Sequence, residues 1–313
     1  MINVIIGLCK ETMAMKTEAV VDVQSTCYRR GVMLVLFAGL LWSLGGVGIR
    51  MIEAVDGWQI IFFRSAGMAL FILIAIVIRS RRNVVQSFSK AGKIGLIAGV
   101  CFGSSFITNI YAMLNNSIAN VSFIASSVPF FVALLGWLFL REKVRRKTWV
   151  AISISMLGIL VMVVTSLTNQ EWWRMLLPFL MVIGYATGTV AIRYGKDVDM
   201  LPALFIAAFF SMCFSGSMIS EFSLSSNDLM ICLGLGVVQS GAGMALFTIG
   251  ARYVPAAELT LLGLIEVVLS PLWVWMAVGE MPAFWTLAGG MIVLLGVMVQ
   301  ASGTRRSVAA SVG

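Results

Sequence analysis

The side chains able to do chemistry in this chain are few, and most sit where they are expensive. Glu266 lies near the middle of a long apolar run, as does Gln239 in another, and Arg64 is embedded about two turns into a third. A carboxylate or guanidinium at such a depth costs about 2.5–3.5 kcal/mol on insertion scales, so it must be neutralised, paired or facing a wet cavity. Glu266 is thus a candidate solute ligand or proton acceptor, and Arg64 a candidate partner for it or for a solute, with snorkelling to headgroups as the structural alternative. Trp42 lies deep in the first apolar run and Tyr185 takes the matching place in the sixth, and the two could stack on an apolar or cationic solute. Asn109, Ser43 and Thr189 are second-rank candidates, because short hydroxyl side chains often bond only their own helix. Glu258, just inside the end of the run holding Glu266, and Asn120, its counterpart in an internal repeat, are candidates for gating or coupling.

Much other chemistry is excluded. The chain has no histidine, so Ser-His-Asp and Cys-His nucleophilic sites and histidine metal centres are ruled out. The five cysteines, Cys9, Cys27, Cys101, Cys213 and Cys232, lack metal-ligand spacing and read as small core residues. No glycine-rich loop follows a strand to open a soluble helix, so nucleotide-binding motifs are absent. No catalytic residue, cofactor or metal is expected, and the protein is not read as an enzyme.

The elements that position these residues are membrane spans. Of 313 residues, 60% are apolar and 12% charged, and the mean hydropathy is +0.98, which excludes a soluble domain. A span needs about 20 apolar residues, and such runs fall at Gly31–Ile49, Trp58–Ile78, Ile94–Leu114, Ile118–Leu140, Trp149–Leu167, Met175–Ile192, Leu201–Ile219, Leu229–Gly250, Ala256–Val278 and Phe284–Ala301. Lipid cannot satisfy a bare backbone, so these runs are expected to be helices. The fold class is an all-α polytopic membrane protein.

The net charge of +8 does not point to nucleic acid, because the basic residues lie in short segments beside spans. With a cytoplasmic amino terminus, all but Arg50, Arg64 and Arg174 of the 22 lysines and arginines fall on the cytoplasmic side, which places both termini inside. Residues 1–29 and 304–313 read as cytoplasmic tails. Trp58, Trp149, Trp172, Trp173 and Trp285 sit near span ends, as an interfacial aromatic belt does. The pairs Gly99/Gly103 and Gly184/Gly188 read as helix-packing contacts.

Slid along itself until Leu96 meets Gly234, the chain aligns Leu96–Met162 on Gly234–Gln300 without a gap, pairing Gly103 with Gly241, Trp137 with Trp275, Glu142 with Glu280 and Leu157-Gly158 with Leu295-Gly296. Halves of five spans each (30–167 and 168–303) must run in opposite senses, since five is odd. The basic loop REKVRRK has the counterpart GEMPAF, which has lost every positive charge, as opposite faces of a membrane require. Inverted repeats of this kind usually hold a solute site near the midplane and work by alternating access.

Leu41-Trp42-Ser43, Phe63-Arg64, SVPFFVALLGWLFLREK with Gly158, and the second-half LIEVVLSPLWVWMAVGEMP and LLGVMV together resemble the drug/metabolite transporter superfamily of the EamA type. The resemblance covers Arg30 to Gly303. It implies ten helices with both ends in the cytoplasm, a central cavity lined mainly by spans other than the fifth and tenth, and transport, often export, of small metabolites such as amino acids, their derivatives or drugs. One departure is that the proline expected in the ninth span, matching Pro129, is Val267, with Pro271 one turn later, an arrangement that could displace the break in that helix. The expected partners are a small-molecule substrate and the lipid bilayer, with proton coupling through Glu266 an option. The chemistry names neither the solute nor the oligomeric state, and a sensor or assembly subunit is the main alternative.

Overall fold

A computed structural model describes residues 26–53, 56–79, 83–115, 121, 124–163, 176–279 and 284–302, and no strand occurs among them. Six helices are long and apolar enough to cross a membrane: α1 Thr26–Ile49, α2 Gly57–Arg79, α3 Val84–Asn115, α6 Leu176–Tyr194, α8 Ser226–Gly250 and α9 Ala256–Ala277. Four further helices occur among the described residues, α4 Val128–Leu140, α5 Arg146–Val163, α7 Leu201–Gly216 and α10 Phe284–Ser302. The protein is an all-helical, multi-pass membrane protein. Its outer surface agrees, since large apolar side chains such as Met33, Leu70, Ile78, Leu180 and Met291 stand at least half exposed along the helices. A bilayer would cover such a surface, whereas water would not tolerate it.

Some boundaries differ from those read in the sequence. Helix α1 starts at Thr26, so residues 26–29 of the expected tail are helical. Helix α3 starts well before Ile94, at Val84, because Gly92, at φ 53°, lets a short helical segment bend into the main one. Only glycine takes that conformation without steric cost. The segments holding Asn120, Trp172, Trp173 and Glu280 lie outside the described residues.

Helix α3 is the centre of the bundle and packs on α6 and α7; α2 packs on α7 and α8, α4 on α6 and α9, and α5 on α10. Close approach is carried by small residues. A side chain at Gly99 or Gly103 would strike α7 backbone carbonyls, and one at Gly184 or Gly188 would strike α3 at Cys101 or Phe102. Hydroxyls tie the same helices, Ser105 donating to the Met181 carbonyl (2.9 Å) and Ser211 to that of Gly103 (2.9 Å). Such small-residue contacts and interhelical bonds stand in for a hydrophobic drive that lipid does not supply.

Helices α2 and α7 are fastened to each other's flanks at both ends. At one end the Gln59 side chain donates to the Glu221 carbonyl (3.0 Å) and accepts from the Ser223 N–H (3.1 Å). At the other, Arg79 pairs with Asp199 at 2.9 Å, and Arg252 reaches the same carboxylate at 3.6 Å. The stretch of helix between Gln59 and Arg79 is about 30 Å long, close to the hydrocarbon thickness of a bilayer.

Among the described residues α1 turns at Leu44, ahead of Gly45, and two further interruptions lie at α4 and α9. Before α4 the chain turns at Ser126-Ser127, ahead of Pro129. Helix α9 is broken at Leu264, between Gly263 and Ile265. In the register that sets Gly103 against Gly241, Leu264 stands opposite Ser126, so the break is not displaced toward Pro271. Val267, in place of proline, keeps its N–H and donates it to the Leu264 carbonyl at 3.0 Å, a tighter i→i−3 bond that turns the helix where a proline ring would have forced it.

Candidate functional site

The interruptions at α4 and α9 border a cavity of about 200 Å³. Among the described residues its wall is drawn from α1, α2, α3, the start of α4 and the residues leading into it, α6, α8 and α9, with none from α5, α7 or α10. Six of the eight candidate ligands meet there: Trp42, Arg64, Asn109, Tyr185, Gln239 and Glu266.

Among the described residues Arg64 is anchored on one edge only. Its Nε donates to Ser240 Oγ at 2.8 Å, and that hydroxyl donates to Gln239 Oε1 at 3.0 Å. Beneath it, Gly236 lies against the Arg64 carbonyl so closely that any side chain there would collide with it. Residues Leu235–Ala242 of α8 form a π-helical stretch. The additional residue in each turn shifts the face presented downstream, and Gln239 and Ser240, adjacent in sequence, both line the cavity.

Glu266 enters from the first turn after the α9 break and is half-buried at the wall. Among the described residues it makes no hydrogen bond, and it forms no ion pair with Arg64. The cavity therefore holds an acidic and a basic side chain that do not pair by contact.

The remaining wall is aromatic. The Trp42 and Tyr185 rings lie 6.5 Å apart in an edge-to-face arrangement, and Phe247 packs on both, at 5.2 Å from Trp42 and 6.1 Å from Tyr185. Phe102 meets the far side of Tyr185 at 5.2 Å. The Trp42 indole has room because Gly243 and Gly263 face it, and a side chain at Gly243 would overlap its Nε1 edge.

Two candidates stand elsewhere. Ser43 is buried, donates to the Leu40 carbonyl and accepts from Trp273 Nε1 at 2.8 Å, fastening α1 to α9. Thr189 is fully buried and donates to the Tyr185 carbonyl one turn back. Both are structural bonds of the kind expected for hydroxyls in helices. Sequence reasoning passed over Ser240, Phe247, Ser105 and Thr260, which also line the cavity. Ser240 could not be found from an α-helical wheel drawn through Gln239, because the wheel ignores the π-helical shift.

At the end of the bundle that carries Arg79, a second group of polar contacts surrounds the start of α9. Glu258 is buried and accepts from the Tyr28 hydroxyl at 2.6 Å. Glu142 follows Arg141, whose left-handed backbone (φ 54°) ends α4. It pairs with Arg193 at 2.8 Å and accepts the Ala256 N–H at 3.2 Å. A carboxylate on the first N–H groups of a helix satisfies an orphan donor and complements the helix dipole. Arg193 also donates to the Ala251 carbonyl at 2.6 Å, so α4, α6, α9 and the turn before α9 are knotted together.

A bundle of membrane-crossing helices enclosing a small, aromatic-walled cavity that holds Arg64 and Glu266 defines a multi-pass membrane protein with an internal cavity. The chain belongs to the EamA-like transporter family, whose model matches it twice, over residues 29–164 and 172–301. It is 25% identical to the pseudopaline exporter CntI of Pseudomonas aeruginosa strain UCBPP-PA14, over 85% of this chain and 94% of that one. It is 27% identical to protein RarD of Salmonella typhi over 66% of this chain and 73% of the relative, and 22% identical to human solute carrier family 35 member G1 over 89% and 80%. A solved crystal structure matches with a TM-score of 0.74 at 16% identity, covering 88% of this chain and 98% of the other, a likeness of fold alone.

Proposed function

We propose that this protein is a secondary transporter or facilitator that moves small metabolites across the cytoplasmic membrane by alternating access, chiefly outward. In this reading ten helices cross the membrane in two inverted halves, 30–167 and 168–303, with both termini in the cytoplasm. The observation that carries it is the cavity, walled by residues of both halves and holding Arg64 and Glu266. Glu266, Trp42, Tyr185, Gln239, Arg64 and Asn109 contact the solute, and a proton exchanged at Glu266 would couple the cycle.

The inverted repeat is supported by the helix pairings. Exchanging α1–α5 with α6–α10 turns the α3–α7 pair into α8–α2, which is in contact, while α2–α7, α4–α9 and α5–α10 map onto themselves. The basic residues support the orientation, since the Arg79, Arg193 and Arg252 end is then cytoplasmic. Glu258 and Glu142 close that end in the present conformation, and both contacts must open for solute to enter from the cell interior. Asn120, the outer counterpart of Glu258, lies outside the described residues. The exporter direction is supported by the likeness to CntI, a named exporter.

A thermal-shift screen of the purified protein against a metabolite library, followed by counterflow of each hit in proteoliposomes, tests the reading. A binding solute raises the melting temperature by mass action, and its label should exchange across the vesicle wall. Stabilising hits that never exchange would favour the alternative of a non-transporting sensor or assembly subunit, against which the unfilled cavity argues.

A further inference from the structure

We propose that the loop joining α4 to α5 is a binding site for the headgroup of an anionic phospholipid. Arg141, Lys143, Arg145, Arg146 and Lys147 are five bases within seven residues. The first four are exposed and Lys147 is half-buried. Among the described residues none of the five makes an ion pair or a side-chain hydrogen bond. Arg79, Arg193 and Arg252, by contrast, are spent on Asp199, Glu142 and backbone carbonyls. The acid inside the loop, Glu142, is turned to Arg193 and the Ala256 N–H, so it pairs with none of the five.

The loop is tied to the bilayer surface at both ends. Trp137, Leu138 and Phe139, at the end of α4, stand more than half exposed, and Trp149 and Val150 are exposed near the start of α5. The Trp149 ring packs on Phe130 of α4 at 5.9 Å. Exposed apolar side chains of this kind belong among acyl chains, with the indoles at headgroup level, so the bases between them lie where lipid phosphates lie. An arginine offers a phosphate two parallel donors, and a lysine adds a point charge.

Arg141 carries its charge at a cost. Its φ of 54° is a left-handed conformation that any side chain disfavours and glycine takes freely. In the register that sets Gly103 against Gly241, its counterpart is Gly279, which ends α9 in the same conformation at φ 76°. Lys143, Arg145, Arg146 and Lys147 have the counterparts Met281, Ala283, Phe284 and Trp285. One copy of the turn therefore uses the residue that suits it, while the other accepts strain to place a guanidinium there. The preference for positive loops on one side of a membrane accounts for basic charge in this loop, but not for a base on the strained residue itself. Because Glu142 lies between Arg141 and Lys143, a headgroup held by these neighbours also steadies the carboxylate that caps α9.

The test uses the full-length purified protein in a neutral detergent, with dioleoyl phosphatidylglycerol, phosphatidylcholine of the same chains, and free glycerol phosphate as probes. Bound lipid is counted by native mass spectrometry across a titration, and the melting temperature is followed in parallel. Phosphatidylglycerol should bind about tenfold or more tighter than phosphatidylcholine and raise the melting temperature, and glycerol phosphate should not reproduce that rise. Arg141→Gln, Arg145→Gln and Arg146→Gln combined should bring the two lipids to within about twofold of each other. Arg29→Gln, Lys90→Gln and Lys93→Gln combined, an equal loss of exposed charge elsewhere, should keep most of the preference. If the first triple variant fails to fold, Arg141→Gly decides alone: it should melt above the parent without lipid, because glycine takes the turn freely, and lose about fivefold in phosphatidylglycerol affinity. Equal binding of the two lipids, or an equal loss of preference in the control triple, would overturn the inference. A melting shift reproduced by glycerol phosphate would overturn it too, by assigning the bases to a free anion.

Discussion

Trp42 and Tyr185 meet edge to face across the cavity, 6.5 Å between ring centroids and 79° between planes. One ring comes from α1 and the other from α6, the opening helix of each proposed half. Aromatic pairs in this geometry are worth about 0.5–1.5 kcal/mol beyond the area they bury, so the contact holds α1 against α6 at the cavity wall.

Trp42→Ala should weaken ligand binding by about tenfold and lower the melting temperature, since the indole also packs on Phe247. Trp42→Phe should retain most of both. Calorimetry with any solute found by the screen checks this, and equal affinity in wild type and Trp42→Ala would remove the ring from the site.

Glu266→Gln should leave the protein folded and abolish or uncouple transport, because the glutamine keeps the shape of the wall and loses its charge. Asp197→Asn, at an exposed position, is the matched control. Glu142 is unsuited to that purpose, since it caps α9 and pairs with Arg193. Proteoliposome flux as a function of pH is the readout, and an unaltered rate and pH profile would reduce Glu266 to a packing role.

Glu142→Gln should cost about 1–3 kcal/mol of stability through the weakened charged bonds to Arg193 and Ala256, and it should loosen the end of the bundle where Tyr28 meets Glu258. A cysteine placed at Ala257, which lies beside these groups, should react faster with a maleimide in the variant than in the parent protein. No change in labelling rate would mean that the knot does not close that end.

Gly236→Ala should destabilise the protein by about 1–3 kcal/mol through overpacking, because the new methyl meets the Arg64 carbonyl and Gly67. Gly234→Ala, where the same methyl meets open space, is the comparison. Equal melting temperatures for the two variants would contradict the close α2–α8 approach.

Single cysteines at positions 82 and 143 should resist an impermeant maleimide in intact cells, while those at 116 and 225 should react, in a background freed of native thiols. Positions 82 and 116 lie outside the described residues, so this experiment also reports on loops whose side is inferred from charge. Labelling of position 143 from outside would reverse the orientation.

The helices were legible because lipid leaves the backbone no alternative: an apolar run of sufficient length must be helical. The cavity lining was legible where the cost of burial was high, as for Glu266 and Arg64, and much less so where it was low. Ser43 and Thr189 look as suitable as Asn109 in the sequence, yet their hydroxyls are spent on nearby partners. The π-helical stretch that brings Ser240 onto Arg64 leaves no periodic signature. The break at Leu264 survives the loss of proline because a glycine and one short hydrogen bond suffice.

The fastening of α2 to the flanks of α7 at both ends has a mechanical consequence. Rods pinned at two points about 30 Å apart resist sliding along each other, so in the proposed alternating-access cycle this pair would serve as an axle about which other helices swivel. The Gln59 and Arg79 clamps are then the two bearings. Loosening either one would convert a hinge of fixed axis into a wobble, in which opening at one face no longer obliges closure at the other.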